Sequence, residues 1–259
     1  QDSGLVQVIT EATQSTSFDA MASRQQALAD ALLKDPDVDH IASFIGVDGG
    51  NPTLNTGRMQ ITLKPHEARH TPTDALLRRL ADATSRVPGI SAYFQPVQDL
   101  TIEDRVSKTQ YQFLLSSPDA DELNASTARL IERLKTLPAL ADVASDLQDR
   151  GLQAFVQIDR EAAGRLGVTV AAIDAALYNA FGQRLVSTIY TQSAQYRVVL
   201  EVAPELRRGP RALEGLYVTG TASGSPVQVP ITSVAQVVER PAALAINHVA
   251  QFPSATVSF

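Results

Sequence analysis

Residues 155–202 read FVQIDREAAGRLGVTVAAIDAALYNAFGQRLVSTIYTQSAQYRVVLEV, and the rest of the chain is organised around this stretch. Its apolar and polar spacing predicts a short strand at the start, then a polar helix that ends at Leu166-Gly167, then a second helix that begins at Thr169. Two alternating β-branched runs follow, Arg184–Tyr190 and Gln195–Val202, with a small polar turn between them. The stretch therefore predicts a strand, two helices and a hairpin.

The composition of the chain bounds its class. With 259 residues, of which 44% are apolar, the chain has room for two to three small domains with cores. The net charge of -6 argues against a nucleic-acid partner, because such a partner requires a basic face. The absence of cysteine excludes disulfides, thiolate zinc ligands and thiol nucleophiles. No apolar run reaches the roughly eighteen residues of a membrane span, and the first residues do not resemble a signal peptide.

One pattern of elements occurs three times: a strand, a capped helix, a proline and another strand. The proline lies two residues before the following strand in Asp35-Pro36-Asp37-Val38, Val87-Pro88-Gly89-Ile90 and Leu137-Pro138-Ala139-Leu140. Because proline disfavours α-helical geometry in the residue before it, each helix must end there. Two such units build the split βαβ arrangement of a ferredoxin-like sheet.

The repeat predicts an α+β protein with three parts. Residues 1–98 contain two units and form a first ferredoxin-like subdomain. Residues 99–149 and 236–259 form a second one, which is discontinuous and lacks one helix and one strand. Residues 150–235 form an inserted α+β subdomain. We expect the chain to be an excised fragment whose missing helix and strand follow Phe259.

Local signals set the expected element boundaries. Helices are expected to begin at Ser17, at Thr71-Pro72 and at Ser117-Pro118, where a hydroxyl residue precedes the helix. A strand is expected to open at Val143, and a loop is expected at Gly220–Pro226.

The order of a strand, QIDREAAGRLGVT, a helix, AFGQR and TIYTQSAQYRVVLEV resembles the docking subdomain of the resistance-nodulation-division exporters. Within that superfamily the chain is similar to the paired multidrug transporters of Gram-negative bacteria, over nearly its whole length. The resemblance implies the second large periplasmic loop of an inner-membrane transporter linked to antibiotic resistance. It implies ferredoxin-like porter subdomains, no enzymatic activity and no cofactor or metal.

The resemblance also implies the partners. The transporter would be a trimer of the same or paired subunits that meets a periplasmic adaptor protein and an outer-membrane channel protein. It would export amphiphilic small molecules, driven by proton movement through membrane helices that this chain lacks. Because half of each substrate pocket would lie elsewhere, the fragment alone is expected to bind ligands weakly.

The resemblance places a substrate site in the cleft between the two ferredoxin-like subdomains. Tyr93-Phe94 ends the last strand of the first subdomain, and one ring is expected to line the cleft; plain core and edge packing is the alternative. Gln7 and Ile9 share one face of the first strand and are expected at the same cleft. Asp146 and Asp149 either face the cleft and favour cationic substrates or lie solvated in a loop.

A glycine-rich segment follows the second strand. By composition Asp48, Gly49, Gly50, Asn51 and Pro52 form a hairpin tip, and they are a weak phosphate loop because no helix follows. In the exporters, a loop at this place that ends in Asn-Thr-Gly divides two substrate pockets. The corresponding residues here are Asn55, Thr56 and Gly57, so the segment is expected to act as a switch-like loop. Gly49 and Pro52 stand roughly where known drug exporters carry phenylalanine and arginine, so aromatic drugs are not expected to be gripped by the loop itself.

The hairpin at 184–202 has two interpretations. Its alternating apolar residues are typical of a half-buried sheet. The resemblance implies instead a docking surface at the top of a trimer, with Arg184, Tyr190, Gln192 and Gln195 at the interface. Both hold if the outer face of the same sheet makes the contact.

Two other functions remain as alternatives. His66-Glu67-Ala68-Arg69-His70 matches the H-E-x-x-H motif of zinc hydrolases, which requires a helix. Pro65 and Pro72 flank the motif, so an exposed connection is favoured over a zinc site. The remaining alternative is a stand-alone, soluble α+β binding protein.

Overall fold

A computed structural model describes residues 3–46, 53–97, 108–109, 111–206, 210–222 and 224–259. The contacts within the chain divide it into two compact units. The first unit contains Gln1–Leu152 and Pro241–Phe259, and the second contains Gln153–Arg240.

The described α-helices and strands are given in chain order. The first nine are β1 (Leu5–Ala12), α1 (Phe18–Leu32), β2 (Val38–Ile45), β3 (Thr56–Leu63), α2 (Thr73–Thr84), β4 (Ile90–Pro96), β5 (Gln112–Ser116), α3 (Ala120–Lys135) and β6 (Ala144–Ser145). The next eight are β7 (Gly151–Ile158), α4 (Arg160–Arg165), α5 (Val170–Phe181), β8 (Arg184–Tyr190), β9 (Gln195–Leu200), β10 (Tyr217–Ala222), β11 (Ser225–Pro230) and β12 (Ala235–Ala242). The last two are β13 (Asn247–Val249) and β14 (Phe252–Ser258).

The first four strands form one antiparallel sheet in the order β2-β3-β1-β4. This is the split βαβ order, so the predicted ferredoxin-like fold is confirmed. The Ser17 hydroxyl accepts a hydrogen bond from the Ala20 N–H and caps α1, as its sequence predicts.

The core of this first sandwich lies between the helices and the sheet. Apolar residues of α1 and α2 at helical spacing are fully buried against alternate residues of β1 and β3. Burial of each such leucine or methionine contributes about 1.5–3 kcal/mol. The fully buried side chains that make up most of this core are Val6, Val8, Met21, Leu28, Leu32, Met59, Ile61, Leu76 and Leu80.

A second sheet forms around β14. β5 pairs with one edge of β14, while β6 and β13 pair with the other edge, all antiparallel. α3 packs against β14 and β5. Among the described residues, no strand pairs with the outer edge of β5. The rings of Tyr111, Phe113 and Phe259 cluster across the pair of β5 and the end of β14, with ring centroids 6.1 Å apart for both Tyr111–Phe259 and Phe113–Phe259.

The second unit has its own core. Asp159 and Thr169 cap α4 and α5 through their side-chain oxygens, and Gly167 takes a positive φ of 62° between the two helices. α4 and α5 pack against the hairpin β10–β11. The buried centre of this core is Ala163, Val168, Ile173, Leu213, Val218, Val229, Ile231 and Val234.

Several expected boundaries were wrong. α3 is capped by Asp119, whose carboxylate accepts from the N–H groups of Asp121 and Glu122, while the Ser117 hydroxyl bonds the N–H of Asp119. α2 begins at Thr73 with no side-chain cap, one position later than predicted. The expected loop at Gly220–Pro226 is a tight hairpin turn, because Gly224 takes a φ of 83° between Ala222 and Ser225. The third repeat of the sequence pattern has no strand at Leu140, two residues after Pro138, and the strand expected from Val143 contains only two residues, Ala144 and Ser145.

Candidate functional site

A cleft of about 1040 Å³ lies in the first unit. One wall is formed by the end of β1 and the segment that leads into β4. The other wall is formed by α3 and the segment around β6. The lining includes Glu11–Ser15, Ser85, Val87–Ser91 and Tyr93 on the first side, and Ala128, Ile131, Glu132, Lys135, Val143–Ser145, Leu147, Asp149 and Arg150 on the second. The cleft therefore lies between the two sandwiches of this unit.

The rim of the cleft carries charges of both signs. Lys135 Nζ lies 3.4 Å from Glu132 Oε1, and Arg150 Nε lies 4.0 Å from Asp149 Oδ1. Such exposed pairs contribute little to stability. Because the charges alternate in sign, the rim does not present a field of one sign to a ligand.

The apolar part of the cleft includes a tyrosine. The half-buried ring of Tyr93 lies in the first wall, with Lys108 Nζ 5.9 Å from its centroid. Burial, with smaller contributions from Glu11 and Asp142, raises the pKa of Tyr93 to about 12. The hydroxyl therefore stays neutral at physiological pH and can donate a hydrogen bond.

We expect an alkaline titration to show a tyrosine that ionises near pH 12. Since the folded protein holds this proton more tightly than the unfolded chain, the stabilising contribution is complete below about pH 10. It is lost as the pH rises through about 12. In the titration followed by tyrosinate absorbance, the phase near pH 12 should disappear in Tyr93→Phe. The same phase should remain in Tyr217→Phe, a change at an exposed tyrosine. Loss of the same phase in both variants would contradict the assignment.

Five polar side chains connect the two sandwiches below the cleft, and we name them the polar belt: Glu11, Gln14, Asn55, Lys108 and Gln148. Lys108 Nζ donates to Glu11 Oε2 at 2.6 Å and to the Ser145 carbonyl at 2.5 Å. Gln148 Nε2 donates to Glu11 Oε1 at 2.9 Å, and Asn55 Nδ2 donates to Gln148 Oε1 at 3.2 Å. The belt therefore joins residues of both walls.

Gln14 adds two further links of the belt. Its Nε2 donates to the Leu147 carbonyl at 3.1 Å, and its Oε1 accepts from the Arg150 N–H. Both partners belong to the segment between β6 and β7. The loop after β1 is thus tied to the opposite wall by side-chain to backbone hydrogen bonds.

The other residues expected at the cleft lie in different places. Gln7 and Ile9 share the face of β1 that also carries Glu11, and Ile9 stands opposite Tyr93 in β4, but neither lines the cavity. The Phe94 side chain packs against the first core. Of the Tyr93-Phe94 pair, one ring thus faces the cleft and the other faces the core.

Asp146 also lies behind the cleft. One carboxylate oxygen accepts from the Thr256 N–H at 2.6 Å, and the other accepts from Asn247 Nδ2 at 2.9 Å. Burial raises the pKa of Asp146, although the Thr256 hydrogen bond opposes the shift. The carboxylate joins the end of β6 to β13 and β14, and its neighbour Asp149 is the aspartate that lines the cleft.

The switch-like loop is described only at its end. Asp48, Gly49, Gly50, Asn51 and Pro52 lie outside the described residues. Asn55 is buried, and its Nδ2 also donates to the Ala12 carbonyl at 3.1 Å. A Cβ at Gly57 would lie 2.8 Å from the Phe44 carbonyl oxygen and 2.8 Å from Gln25 Nε2, so this position requires glycine.

The loop end also borders a second, smaller cavity of about 360 Å³. Its lining includes Gln14–Ser17, Thr53–Asn55, Leu152 and Leu244. Gln14 and Asn55 therefore belong to the polar belt and to this cavity.

In the second unit, β8 and β9 form an isolated two-stranded hairpin, which we name the ribbon (Arg184–Leu200). Arg184 Nη1 donates to Asn179 Oδ1 of α5 at 2.5 Å and fixes its base. Gln192 lies in the turn, where the Thr191 and Ala194 backbones bond each other. Tyr190 is 71% exposed, and Gln195 beside it is exposed as well.

Both faces of the ribbon are exposed in the second unit. The exposed apolar side chains are Leu185, Val186, Ile189, Tyr190, Tyr196, Val199 and Leu200. No sheet among the described residues of this unit covers them. The half-buried sheet that the alternation favoured is therefore absent from the described part of this unit.

Comparison with known proteins decides the family. A model of the AcrB/AcrD/AcrF family matches residues 1–259, the whole of the chain. The chain belongs to this family of resistance-nodulation-division transporters. The predicted resemblance is thereby confirmed at the level of the family.

Solved structures agree on the fold. The chain is similar to a heavy metal efflux pump in two crystal forms, with TM-scores of 0.82 and 0.83 at 21% and 23% sequence identity. The similarity covers 98% and 99% of this chain but only 26% and 27% of the pump chains. The chain thus has the fold of the porter region of such transporters and spans about a quarter of the length of these relatives.

For a chain of this transporter family, the H-E-x-x-H match has an ordinary explanation. His66–Ala68 is a single 3-10 turn, and Arg69 that follows is extended. His66 and His70 are exposed and do not lie one α-helical turn apart. Within the described residues, no group of three or more histidines and carboxylates is positioned to hold a metal ion.

Two structural findings complete the description. No helix in the described part of the chain is both long and apolar enough to cross a membrane. The polar belt was missed by the sequence reasoning, because its members come from separate segments without a shared motif.

Proposed function

We propose that this chain is the periplasmic substrate-binding and docking portion of a proton-driven multidrug exporter of the inner membrane. The observation that carries the proposal is the cleft of about 1040 Å³, which is lined by both apolar and polar side chains, with charges of both signs among them. Ligand sites of proteins are typically concave, apolar and about 300–1,000 Å³, with a few polar groups that fix orientation. A cleft of this size and character fits an amphiphilic small molecule.

The length of the chain indicates which parts of transport it can perform. The relatives it matches are about four times as long, since it covers 26% and 27% of them. We assign proton-driven energy coupling to membrane helices outside these residues, and binding, gating and docking to this chain. Alone, the chain should bind ligands weakly, because neighbouring segments would complete the pocket.

Metal ions are the second candidate substrate, because the similar solved structures are of a heavy metal efflux pump. Soft metal ions prefer thiolate and thioether ligands. The chain has no cysteine, and its two methionines, Met21 and Met59, are both 0% exposed in the first core. Because the lining residues of the cleft contain no sulfur, the cleft favours an amphiphile over a soft metal ion.

A tryptophan substitution in the cleft tests the proposal. Ala128 lines the cleft from α3, while Ala125 is exposed on the same helix and does not. Ala128→Trp should fill part of the cavity. It should weaken the binding of a fluorescent amphiphile such as N-phenylnaphthylamine at least about tenfold, because overlap between the indole ring and the ligand costs more than ~1.4 kcal/mol of binding free energy. Ala125→Trp is the matched control and should bind as the unchanged chain does.

The same titration separates the candidates. Equal dye binding by both tryptophan variants, or submicromolar dye binding by the chain alone, would contradict the proposal. Saturable binding of Ag⁺ that Ala128→Trp abolishes, with no dye binding by the unchanged chain, would favour the metal candidate.

We further propose that the ribbon docks onto another copy, or a paired copy, of the subunit in a trimer. Its apolar side chains are exposed on both faces, which is unusual for a surface without a partner. A two-stranded hairpin is only marginally stable by itself, so a partner surface would stabilise it. An adaptor and an outer-membrane channel are the further partners that this arrangement would meet.

Sedimentation at high protein concentration tests the ribbon. The unchanged chain should associate with itself, and Ile189→Asp should weaken this association by about tenfold or more, because a charge would be buried at the contact. Glu205→Asp lies outside the ribbon and should have no effect. A chain that stays monomeric at millimolar concentration, or an Ile189→Asp variant that associates normally, would contradict this role.

A further inference from the structure

The polar belt joins the two sandwiches that border the cleft. Glu11, on the first wall, accepts hydrogen bonds from Lys108 and Gln148 through its two oxygens. Lys108 also bonds the Ser145 carbonyl on the second wall. Every carboxylate oxygen of Glu11 is thus committed to the belt, so that widening the cleft at this point costs hydrogen bonds.

Gln148 occupies the central position of the belt. Its side-chain amide donates to Glu11 and accepts from Asn55, so one side chain uses both of its polar atoms. Gln148 is 5% exposed and Asn55 is 1% exposed. A buried polar group that loses its hydrogen bond costs free energy. The arrangement that keeps these hydrogen bonds is therefore strongly preferred over others.

Asn55 links the belt to the segment that contains Thr56 and Gly57. The Asn55 Nδ2 also donates to the Ala12 carbonyl. The backbone carbonyl of Asn55 accepts a hydrogen bond from the Ala12 N–H at 2.8 Å. The end of this segment is thereby held to the last residue of β1. A movement of the segment that displaced Asn55 would remove the hydrogen bond to Gln148.

We infer that Gln148 is a positioning residue that sets the width of the cleft by tying Asn55, which directly precedes β3, to Glu11 on the cleft wall. The inference deepens the proposed function, because it names what regulates access to that cleft. When the Asn55–Gln148–Glu11 relay is intact, the two walls are held at one separation. When it is broken, the links made by Lys108 and Gln14 remain, but the separation of the walls varies more widely and the entrance widens.

Distances between spin labels test the relay directly. The chain has no cysteine, so Asp82→Cys on α2 and Arg133→Cys on α3 accept labels only at these exposed positions, outside the cleft lining. Double electron–electron resonance should give a narrow distance distribution for the otherwise unchanged chain. Gln148→Ala should broaden the distribution and shift its mean to a longer distance. Gln26→Ala, at an exposed glutamine of α1, is the matched control and should leave it unchanged.

A second variant separates the relay from general packing. In Gln148→Glu, the introduced carboxylate repels Glu11 at neutral pH, so the distribution should broaden. At acidic pH the introduced carboxyl group is protonated and can again donate to Glu11 and accept from Asn55, so the narrow distribution should return. Glu11 contacts this position and Lys108 contacts Glu11; the ionisable groups beside it in the chain are Asp146, Asp149 and Arg150. Circular dichroism on each variant shows that it folds.

The outcomes are distinct from those of the dye titration. Label distances that do not change in Gln148→Ala, or a Gln148→Glu distribution that stays the same at both pH values, would overturn the relay. These measurements use no ligand. The result for the relay therefore does not depend on whether N-phenylnaphthylamine binds the cleft.

Discussion

Gly167→Ala is expected to lower the free energy of unfolding of the second unit by about 3 kcal/mol. Gly167 takes a φ of 62°, which costs a residue with a side chain about 1–2 kcal/mol. A Cβ at this position would also collide with the backbone of Thr221 in β10, whose N–H bonds the Leu166 carbonyl at 3.3 Å. The atoms that the Cβ would meet all belong to the Thr221 backbone, so the backbone itself would have to shift.

The effect should spread from this turn to the ribbon. Gly167 joins α4 to the segment before α5, and α5 carries Asn179, which holds Arg184 at the ribbon base. Urea unfolding and hydrogen exchange of α5 amides measure the loss. Gly164→Ala is the control, because an added Cβ there meets nothing within 4 Å and alanine favours a helix by about 0.5–1 kcal/mol. Equal stability of the two variants would contradict the close packing described.

Leu28→Ala is expected to lower the free energy of unfolding of the first sandwich by about 2–5 kcal/mol. Leu28 is fully buried in the core between α1 and the sheet, and its loss would leave a cavity. Gln25, one helical turn earlier, accepts from the Thr10 hydroxyl at 2.7 Å and contacts the site of Gly57. A looser α1 would therefore also disturb the strand that begins at the loop end.

The same substitution at the end of this helix provides the control. Leu33 is 49% exposed at the C-cap of α1, so Leu33→Ala should cost less than about 1 kcal/mol. Hydrogen exchange in β1 and β3 under rising urea reports the stability of this sandwich. Similar losses in the two variants would show that Leu28 does not contribute to the core as described.

The topology of the first sandwich was predictable because its signals are local. Each proline after a helix fixed where the next strand begins, and two repeats of the unit imply the β2-β3-β1-β4 order. The short β6 was less predictable. Asp142 takes a positive φ of 53° just before it, and only Ala144 and Ser145 pair with β14. That pairing depends on residues more than 110 positions later in the chain, which no local pattern reveals.

The residues of the candidate site were predictable only where the alternation of side chains along a strand decides which face each one occupies. Tyr93 and Phe94 are adjacent, so one ring had to face each side of the sheet, and burial of the helix-facing side places Phe94 in the core. Asp146 was expected either to face the cleft or to lie solvated in a loop, but Thr256 and Asn247 approach it from the other end of the chain. The polar belt gathers residues from four separate segments, so only the folded chain shows it.

The most direct test of the proposed function is a crystal structure of the chain soaked with an amphiphile that carries bromine at its apolar end. Anomalous scattering locates bromine without reference to the surrounding protein. The proposal predicts a bromine peak inside the cleft, between the ring of Tyr93 and the side chain of Ile131. Full occupancy of bromine on another surface, with a cleft that holds none, would contradict it.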